Sequence, residues 1–265
     1  MTNAVFDPAL LARIEDAGIN ASAPAQQRWI DGWLVRFARG KAKRARCIQT
    51  VASGRMTVAD KLAHCLPIYA AADLHPYVRI TPFSLPEGLD DALAAAGMER
   101  VDDTRVMVAP EIAAVLAANA EKPQELRSAT DHIDRSDAAG FVEWIGAARG
   151  SSAEECRAHL DRVERSPVPH HALRMRDGAG AAIAGGQVVI EADIAGLYDV
   201  FTVESERGRG HAAAVCLALL RLAAAEGARV AYLQVDAGNA AARKVYHGLG
   251  FADGYAYHYR SPPAA

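Results

Sequence analysis

The chain has 265 residues, which is enough for one large or two medium domains. Its 51% hydrophobic and 23% charged residues are typical of a globular protein, and a formal net charge of −3 argues against a general nucleic-acid or membrane binder. No signal peptide or membrane-spanning apolar run is visible, and the four cysteines are scattered without a Cys-x-x-Cys pair. We therefore expect a cytoplasmic protein with reduced thiols.

The amino-terminal half alternates helical and strand patterns. Helices are predicted at residues 8–18, 57–71 and 89–96, and strands at 77–81 and 101–109. A hairpin is predicted at 29–51, with its turn at Gly40. Pro67 is expected to kink the second helix or end it early. The pattern is lost between residues 115 and 130, so we expect two domains, at 1–120 and 121–265.

A basic run occupies residues 36–46 and contains no acid. Its cationic members are Arg36, Arg39, Lys41, Lys43, Arg44 and Arg46. Such a run is most often a solvated strand face. It can also form a positive wall beside an anionic ligand or acceptor. Nucleic-acid binding is the least favoured interpretation, because no pattern of stacking aromatic residues accompanies the run.

The carboxy-terminal half has a different order of elements. Helices are predicted at residues 136–148 and 152–164, the second opened by a capping box from Ser152 and Glu155. Three strands follow at 172–175, 181–190 and 194–203, joined by turns short enough for antiparallel hairpins. The last predicted elements are a strand at 230–235, a helix at 239–248 and a strand at 251–259. The adjacent His170 and His171 point different ways on most backbones, so no metal site is expected.

A glycine-rich turn stands between the third of these strands and a long apolar helix. Gly208 and Gly210 let the backbone turn and let a ligand approach it closely. The free N–H groups and the positive dipole end of the new helix then favour an anion. Because Arg207, Arg209 and His211 add charge or hydrogen-bond donors, the stretch predicts a phosphate site.

Two kinds of phosphate ligand fit this turn. Residues 208–213 match Gly-x-Gly-x-x-Ala, the dinucleotide fingerprint, and Asp236 follows the next strand. However, antiparallel hairpins precede the turn, and the strand at 230–235 is followed by only about thirty residues. A doubly wound sheet cannot be completed in that length, so NAD and FAD are disfavoured.

The same turn resembles a motif of another group of proteins. Arg207-x-x-Gly210-x-Ala212 is similar to the Arg/Gln-x-x-Gly-x-Gly/Ala motif of the GNAT acetyltransferase superfamily. The second signature of that superfamily resembles a set of residues in the last helix and after it: Asn239, Ala242, Tyr246, Gly250 and Phe251. The resemblance covers about residues 125–260. Residues 1–120 more faintly resemble the degenerate GNAT-like half of bacterial two-domain members, which suggests a scaffold or a lid.

The resemblance implies both a fold and a function. The implied fold is α/β, with a mixed, mostly antiparallel sheet flanked by helices and a second, degenerate GNAT-like domain. The implied function is N-acetyl transfer from acetyl-CoA to an amine of a small molecule or peptide, by direct attack on the thioester. We expect no metal, no nucleic-acid or membrane partner, and a monomer or homodimer. The alternative is a non-catalytic acyl-CoA-binding or regulatory module.

The resemblance also implies site residues. Those expected to bind acetyl-CoA lie on the strand end, in the glycine turn and on the last helix: Val200, Phe201, Thr202, Arg207, Gly208, Arg209, Gly210, His211, Ala212, Asn239 and Tyr246. Tyr246 matches the general acid. Asn239 is expected to bind the pantetheine arm, to cap the helix, or to do both.

The base for the amine is not identified by the sequence. Some family members carry a strand glutamate at the position that is Gly196 here. Asp199 is the candidate catalytic acid within the strand, but period-two alternation places it on the face opposite Gly196. A structural carboxylate is another interpretation of Asp199, and Glu191 or a chain of waters are alternatives for the base.

Overall fold

A single mixed sheet runs through both halves of the chain. The computed structural model describes residues 6–120 and 132–263. The strands are β1 (Gln27–Ile30), β2 (Trp33–Arg36), β3 (Ile48–Gln49), β4 (Val78–Ile80), β5 (Glu99–Ala109), β6 (Ile133–Ser136), β7 (His170–Arg176), β8 (Ala182–Glu191), β9 (Ile194–Thr202), β10 (Val230–Asp236) and β11 (Ala252–Ser261). Their order across the sheet is β1-β2-β3-β4-β11-β5-β10-β9-β8-β7-β6.

Eight helices in the described residues flank this sheet. They are α1 (Pro8–Ala21), α2 (Val58–Ala71), α3 (Leu89–Ala95), α4 (Ile112–Ala118), α5 (Ala138–Ala148), α6 (Ala153–Glu164), α7 (His211–Ala225) and α8 (Ala240–Leu249). The capping box predicted from Ser152 and Glu155 opens α6. Pro67 lies inside α2, which nevertheless continues to Ala71.

The two halves of the sheet repeat one connection order and exchange their last strands. The parallel pairs among the described strands are β3–β4 in the first half and β9–β10 in the second. β5 then pairs antiparallel with β10, while β11 pairs antiparallel with β4. β5 and β11 also pair with each other, from Ala252 opposite Val108 to Ser261 opposite Glu99. The sheet of the carboxy-terminal half is therefore completed by a strand from the other half.

The two faces of the sheet bury separate cores. Leu197 and Leu233 belong to a core that packs against α4, α7 and α8. Tyr198 and Tyr232, one residue away on the same strands, point to the opposite face, where α1 packs. Phe141 from α5 packs with Phe201 and Ala172 in a third cluster next to that second face. Alternation along β9 thus directs its side chains towards two different sets of helices.

The hairpin predicted at residues 29–51 is present as the antiparallel pair of β2 and β3, with Leu34 opposite Gln49 and Gly40 in the connection. A second hairpin, not predicted, is formed by β1 and β2, and its turn is Asp31-Gly32, where both residues have positive φ angles of 43° and 86°. Asp-Gly is a favoured pair for such a tight turn. The chain from residue 37 onwards leaves the sheet and makes a short helical turn at Lys43–Arg46 before β3.

The predicted boundary between domains is only partly visible. Residues 121–131, which include the predicted start of the second domain, lie outside the described residues. None of the described helices combines the length and the apolar character that a membrane crossing requires.

The strand exchange predicts that residues 121–265 fold poorly alone, because β10 and β11 then have no β5 between them. We expect low solubility and no cooperative thermal unfolding by circular dichroism. Co-expression with residues 1–120 should restore both. Met107→Asp in that fragment should prevent the restoration, since Met107 is 0% exposed, while Arg100→Gln, with its side chain 56% exposed, should not. Cooperative unfolding of residues 121–265 alone would contradict the role given to β5.

Candidate active site

A gap opens in the middle of the sheet, between β9 and β10. The two strands pair in parallel only from Ile194 opposite Val230 to Leu197 opposite Leu233. Beyond that point β9 stays paired with β8 and β10 stays paired with β5. The facing backbone edges of the two strand ends therefore have no strand between them to satisfy their N–H and C=O groups.

A β-bulge lies where the two strands part. Gly185 of β8 is opposite Phe201 and Gln187 is opposite Tyr198, so one residue of β8 faces two of β9, Asp199 and Val200. Asp199 has a left-handed φ of 51°. The bulge interrupts alternation, so Asp199 lies on the same face as Tyr198 and Gln187. The expectation that Asp199 lies on the face opposite Gly196 is therefore wrong.

The glycine-rich turn has the geometry of an anion site. Gly208 and Gly210 have φ angles of 79° and 83°, which a side chain would strain. α7 begins directly after Gly210 and has no side-chain cap, whereas Asp137, Ser152 and Asn239 cap α5, α6 and α8. The first N–H groups of α7 are therefore open to a ligand.

Polar atoms around this turn are left without partners. Both ring nitrogens of His211 and the hydroxyl of Thr202 are buried without a hydrogen bond among the described residues, although the Nε2 atom of His211 lies 3.6 Å from the Glu206 carboxylate. Arg209 donates to Glu206 at 2.9 Å, and the Nε atom of Arg207 lies 3.4 Å from the Thr202 carbonyl oxygen. Buried polar atoms without partners are costly unless a bound group satisfies them, which fits a ligand such as the pyrophosphate of acetyl-CoA.

The last helix, α8, brings Asn239 and Tyr246 to the same side of the sheet as α7. The Asn239 side chain accepts a hydrogen bond from the Ala242 N–H at 3.1 Å, which is the capping role. Tyr246 is 9% exposed and packs against the Phe251 ring and the α7 core. Burial raises the pKa of Tyr246, so its hydroxyl stays protonated at neutral pH.

On the opposite face, Asp199 is the centre of a polar cluster. Its carboxylate accepts a hydrogen bond from Arg149 at 2.6 Å and lies 3.4 Å from both the Gln187 amide and the Nε2 atom of His159. Burial alone would raise the pKa of Asp199, but the His159 hydrogen bond and the Arg149 and Arg162 charges lower it well below its ordinary value. Asp199 is therefore a fixed anion and a weak base.

The position of the family's strand glutamate is closed by aromatic rings. A Cβ atom at Gly196 would lie 2.6 Å from the hydroxyl and ring of Tyr232 and 2.7 Å from the Tyr198 ring. The two tyrosine hydroxyls are hydrogen-bonded to each other at 2.6 Å. Glu191 lies opposite Ile194, at the far end of β9 from the bulge. Neither position therefore provides a carboxylate base near the gap.

A cavity of about 260 Å³ lies beside Asp199 and is built by both halves of the chain. The amino-terminal half contributes Lys41 and Arg44, so part of the predicted basic run does form a positive wall. The C-terminal end of α5 and the helix α6 contribute further charged and titratable lining residues: Arg149, Glu155, Cys156, His159 and Arg162.

The sequence reasoning did not identify His159, Arg149 or Arg162. His159 and Arg162 are three residues apart on α6, so they share one face of that helix. Their spacing on one helical face could have been predicted from the sequence. Their proximity to Asp199 could not, because it depends on tertiary packing. No group of three or more metal-ligating side chains was found among the described residues.

The first half of the chain has a counterpart of the glycine turn, in the loop between β3 and α2. There the Asp31 carboxylate accepts hydrogen bonds from the Arg55 N–H at 2.7 Å and the Met56 N–H at 2.6 Å. Lys61, which is fully buried, lies 3.4 Å from the same carboxylate. The Met56 hydrogen bond is the largest cause of a lowered Asp31 pKa. The chain's own carboxylate therefore fills this second N–H site.

The splayed parallel strands, the bulge and the open glycine turn define a GNAT-type N-acetyltransferase. A family model described as "Probable histone acetyltransferase Rv0428c C-terminal" matches residues 10–260, and the chain belongs to that family. YobR of Bacillus subtilis (strain 168), described as an uncharacterized N-acetyltransferase, is 29% identical over 241 residues, which cover 91% of this chain and 94% of that protein. The chain is an enzyme of this class, so the non-catalytic alternative is not retained.

Solved structures agree with the fold. A GCN5-related N-acetyltransferase from Kribbella flavida has a TM-score of 0.70 at 19% identity and covers 96% of both chains. A tandem GNAT protein from the clavulanic acid biosynthesis pathway has a TM-score of 0.56 at 12% identity, covering 78% of this chain and 70% of that one. The predicted α/β GNAT fold with a second, degenerate GNAT-like half is confirmed.

The close approach at Gly196 predicts that Gly196→Ala lowers the free energy of unfolding by about 1–3 kcal/mol, because a Cβ atom forces Tyr232 and Tyr198 apart. Denaturant unfolding at neutral pH measures this. Gly178→Ala is the matched control, since a Cβ atom there meets nothing within 4 Å. Equal stability of the two variants would show that the rings do not close this position.

Proposed function

We propose that this enzyme transfers an acetyl group from acetyl-CoA to an amine of a small molecule or peptide. The observation that carries the proposal is the open N-terminus of α7, preceded by Gly208 and Gly210, at the end of a strand that parts from its neighbour. A pyrophosphate matches the N–H groups of such a turn. An extended pantetheine arm matches the unpaired strand edge that follows the bulge.

The donor is proposed to bind along residues that the sequence already indicated. The backbone of residues 207–212 would hold the pyrophosphate, and the backbone of Val200 and Thr202 would pair with the pantetheine arm. Phe201 packs against Trp144 of α5, with ring centroids 6.2 Å apart, and so fixes this strand end. Asn239 would contribute mainly by capping α8, the helix that carries Tyr246.

In the proposed reaction the amine nitrogen attacks the thioester carbonyl carbon. A C–N bond forms, the C–S bond breaks, and the products are the N-acetylated amine and CoA. A backbone N–H at the bulge would stabilise the negative charge that develops on the carbonyl oxygen. Tyr246 would give its proton to the departing thiolate, and its raised pKa supports this role because the hydroxyl is protonated at neutral pH.

The group that takes the amine proton is proposed to be His159, with Asp199 as the positioning residue. The Nε2 atom of His159 lies 3.4 Å from the Asp199 carboxylate. If Nε2 carries the proton, Nδ1 has a free lone pair for the acceptor, and the fixed Asp199 anion stabilises the charged ring after proton transfer. The lowered pKa of Asp199 supports this division of roles. A carboxylate that stays ionised can orient His159, but it is too weak a base to take the amine proton itself.

The two halves, 1–120 and 121–265, are proposed to have different roles within the shared sheet, and only the second is proposed to bind the donor. Asp31 supports this, because it occupies the N–H groups that correspond to the donor site. The first half would then act as a scaffold that completes the sheet and one wall of the acceptor cavity. A cytoplasmic location and a monomeric or homodimeric state are part of the same proposal.

Tyr246→Phe is expected to reduce kcat by about 10²- to 10⁴-fold, because the thiolate then leaves without a general acid. Release of CoA thiol in a panel of amines measures the rate. Stabilisation against heat by acetyl-CoA should persist in the variant, since ligand at about 100 times its Kd adds about 2.7 kcal/mol.

The control for this variant is Tyr77→Phe, which also loses one hydroxyl but lies beside the rings of His75 and of Tyr259 in β11. Unchanged kcat in Tyr246→Phe would refute the general-acid role. Stabilisation of the wild type by NAD and not by acetyl-CoA would refute the donor.

His159→Gln is expected to reduce kcat by about 10²- to 10⁴-fold and to remove the acid limb of the pH–rate profile, because the titrating base is lost. Asp199→Asn should retain more activity and shift that limb instead. Steady-state rates from pH 5 to 9 measure both effects. His64→Gln, on the exposed side of α2, is the control. A pH–rate profile of His159→Gln that matches the wild type would exclude the base role.

A further inference from the structure

The charges lining the cavity beside Asp199 do not balance. Four cationic side chains and two carboxylates line it. Lys41 is paired with Glu155 at 3.4 Å, and Arg149 with Asp199 at 2.6 Å. Arg44 and Arg162 are the cations left over, and neither has a carboxylate within ion-pair distance among the described residues.

Arg162 is the more exceptional of the two. Its side chain forms no hydrogen bond and no ion pair with any described residue, although it lines the cavity wall. Burial lowers the pKa of the Arg162 guanidinium, the charge of Arg44 lowers it further, and the charge of Asp199 acts in the opposite direction. A guanidinium carries five N–H donors, so leaving them unpaired in a partly desolvated site is unfavourable.

Arg44 is held in place but is not neutralised. One of its terminal nitrogens donates to the Tyr257 hydroxyl at 3.0 Å, and its guanidinium lies 5.7 Å from the Tyr198 ring centroid. Its Nε atom is buried with no hydrogen-bond partner among the described residues. Two guanidiniums thus line one cavity, and neither is paired with a carboxylate of the described residues.

The cavity extends past Arg162 away from the bulge. A second cavity, of about 380 Å³, shares Arg162 with the first, and its other charged lining residues are Arg39 and Asp161. Arg162 therefore lies between the compartment that holds Asp199 and His159 and this second compartment. A molecule that reaches His159 with its amine would have its remaining part beside Arg162.

We infer that the acceptor of the proposed acetyl transfer carries an anionic group in addition to its amine, and that Arg44 and Arg162 bind that group. A carboxylate or a phosphate has the required chemistry, because both accept the paired N–H groups of a guanidinium. The inference rests on the proposed function and specifies the substrate class of the same site. A lysine-rich peptide is a poor match for this cavity, because its charges repeat those already in excess.

The test uses pairs of amines that differ only in the anionic group, with CoA release as the readout. Leucine and leucinamide form the carboxylate arm, and O-phosphoethanolamine and ethanolamine form the phosphate arm. We expect at least one anionic member to have a kcat/KM about 10- to 100-fold above that of its neutral partner. Arg162→Gln should remove most of that ratio, mainly by raising the KM of the anionic member. Arg44→Lys should keep part of the ratio.

Arg165→Gln is the matched control, because Arg165 follows α6 with its side chain 70% exposed and paired with Asp161. A readout independent of turnover is thermal stabilisation by glutarate in the presence of CoA, which Arg162→Gln should reduce and Arg165→Gln should not.

Different outcomes separate failure of the inference from failure of the proposed function. If neutral amines or a lysine-rich peptide are acetylated as fast as the anionic amines, the inference is overturned while the proposed function stands. Acetylation of no amine at all would overturn both. A higher KM of Arg162→Gln for acetyl-CoA, absent with 3′-dephospho-acetyl-CoA, would assign the two arginines to the 3′-phosphate of the donor and overturn the inference.

Discussion

β5 crosses from the amino-terminal half and hydrogen-bonds on one edge to β10 and on the other to β11. Because β11 in turn pairs with β4, the exchange joins two half-sheets into one. Met107 of β5 lies in the same core as Leu233 and α7, while Val106 and Val108 lie in the core that packs against α1. Loss of β5 would therefore open both faces of the sheet, and the gap between β9 and β10 keeps its shape only while β10 is held on its other edge.

The backbone at the bulge decides which side chains meet which substrate. Along a regular strand Asp199 would point into the core beneath α7, where an ionised carboxylate would be unpaired. The extra residue of the bulge turns the side chain to the opposite face, where the carboxylate contacts Arg149, His159 and Gln187. Tyr246 remains on the α7 side with the glycine turn. The proposed donor and acceptor groups thus approach the gap from opposite faces of one sheet.

Local sequence signals predicted most of the helices and strands. Ser152 and Glu155 indicated the start of α6, and the two glycines before α7 indicated an anion site, because caps and tight turns depend on residues close in sequence. The surroundings of Gly196 and Asp199 could not be predicted from local signals. The closure of Gly196 depends on Tyr232, which is distant in sequence, and the orientation of Asp199 depends on one unpaired residue in a register set by β8. The basic run was visible, but the placing of Arg44 beside α6 depends on the strand exchange.

The two N–H sites differ in what fills them, which fits the proposal that only the second half binds the donor. In the second half the N–H groups before α7 have no side-chain cap and can take a ligand from outside. In the first half Asp31 fills the corresponding groups before α2, and buried Lys61 compensates its charge. Because Asp31 already satisfies these N–H groups, the loop before α2 needs no bound ligand to stabilise it. The segment that follows β2 lies against α6, where Lys41 and Arg44 line the cavity beside Asp199. If that cavity takes the acceptor as proposed, the half whose own N–H site is filled contributes to the specificity of the other half.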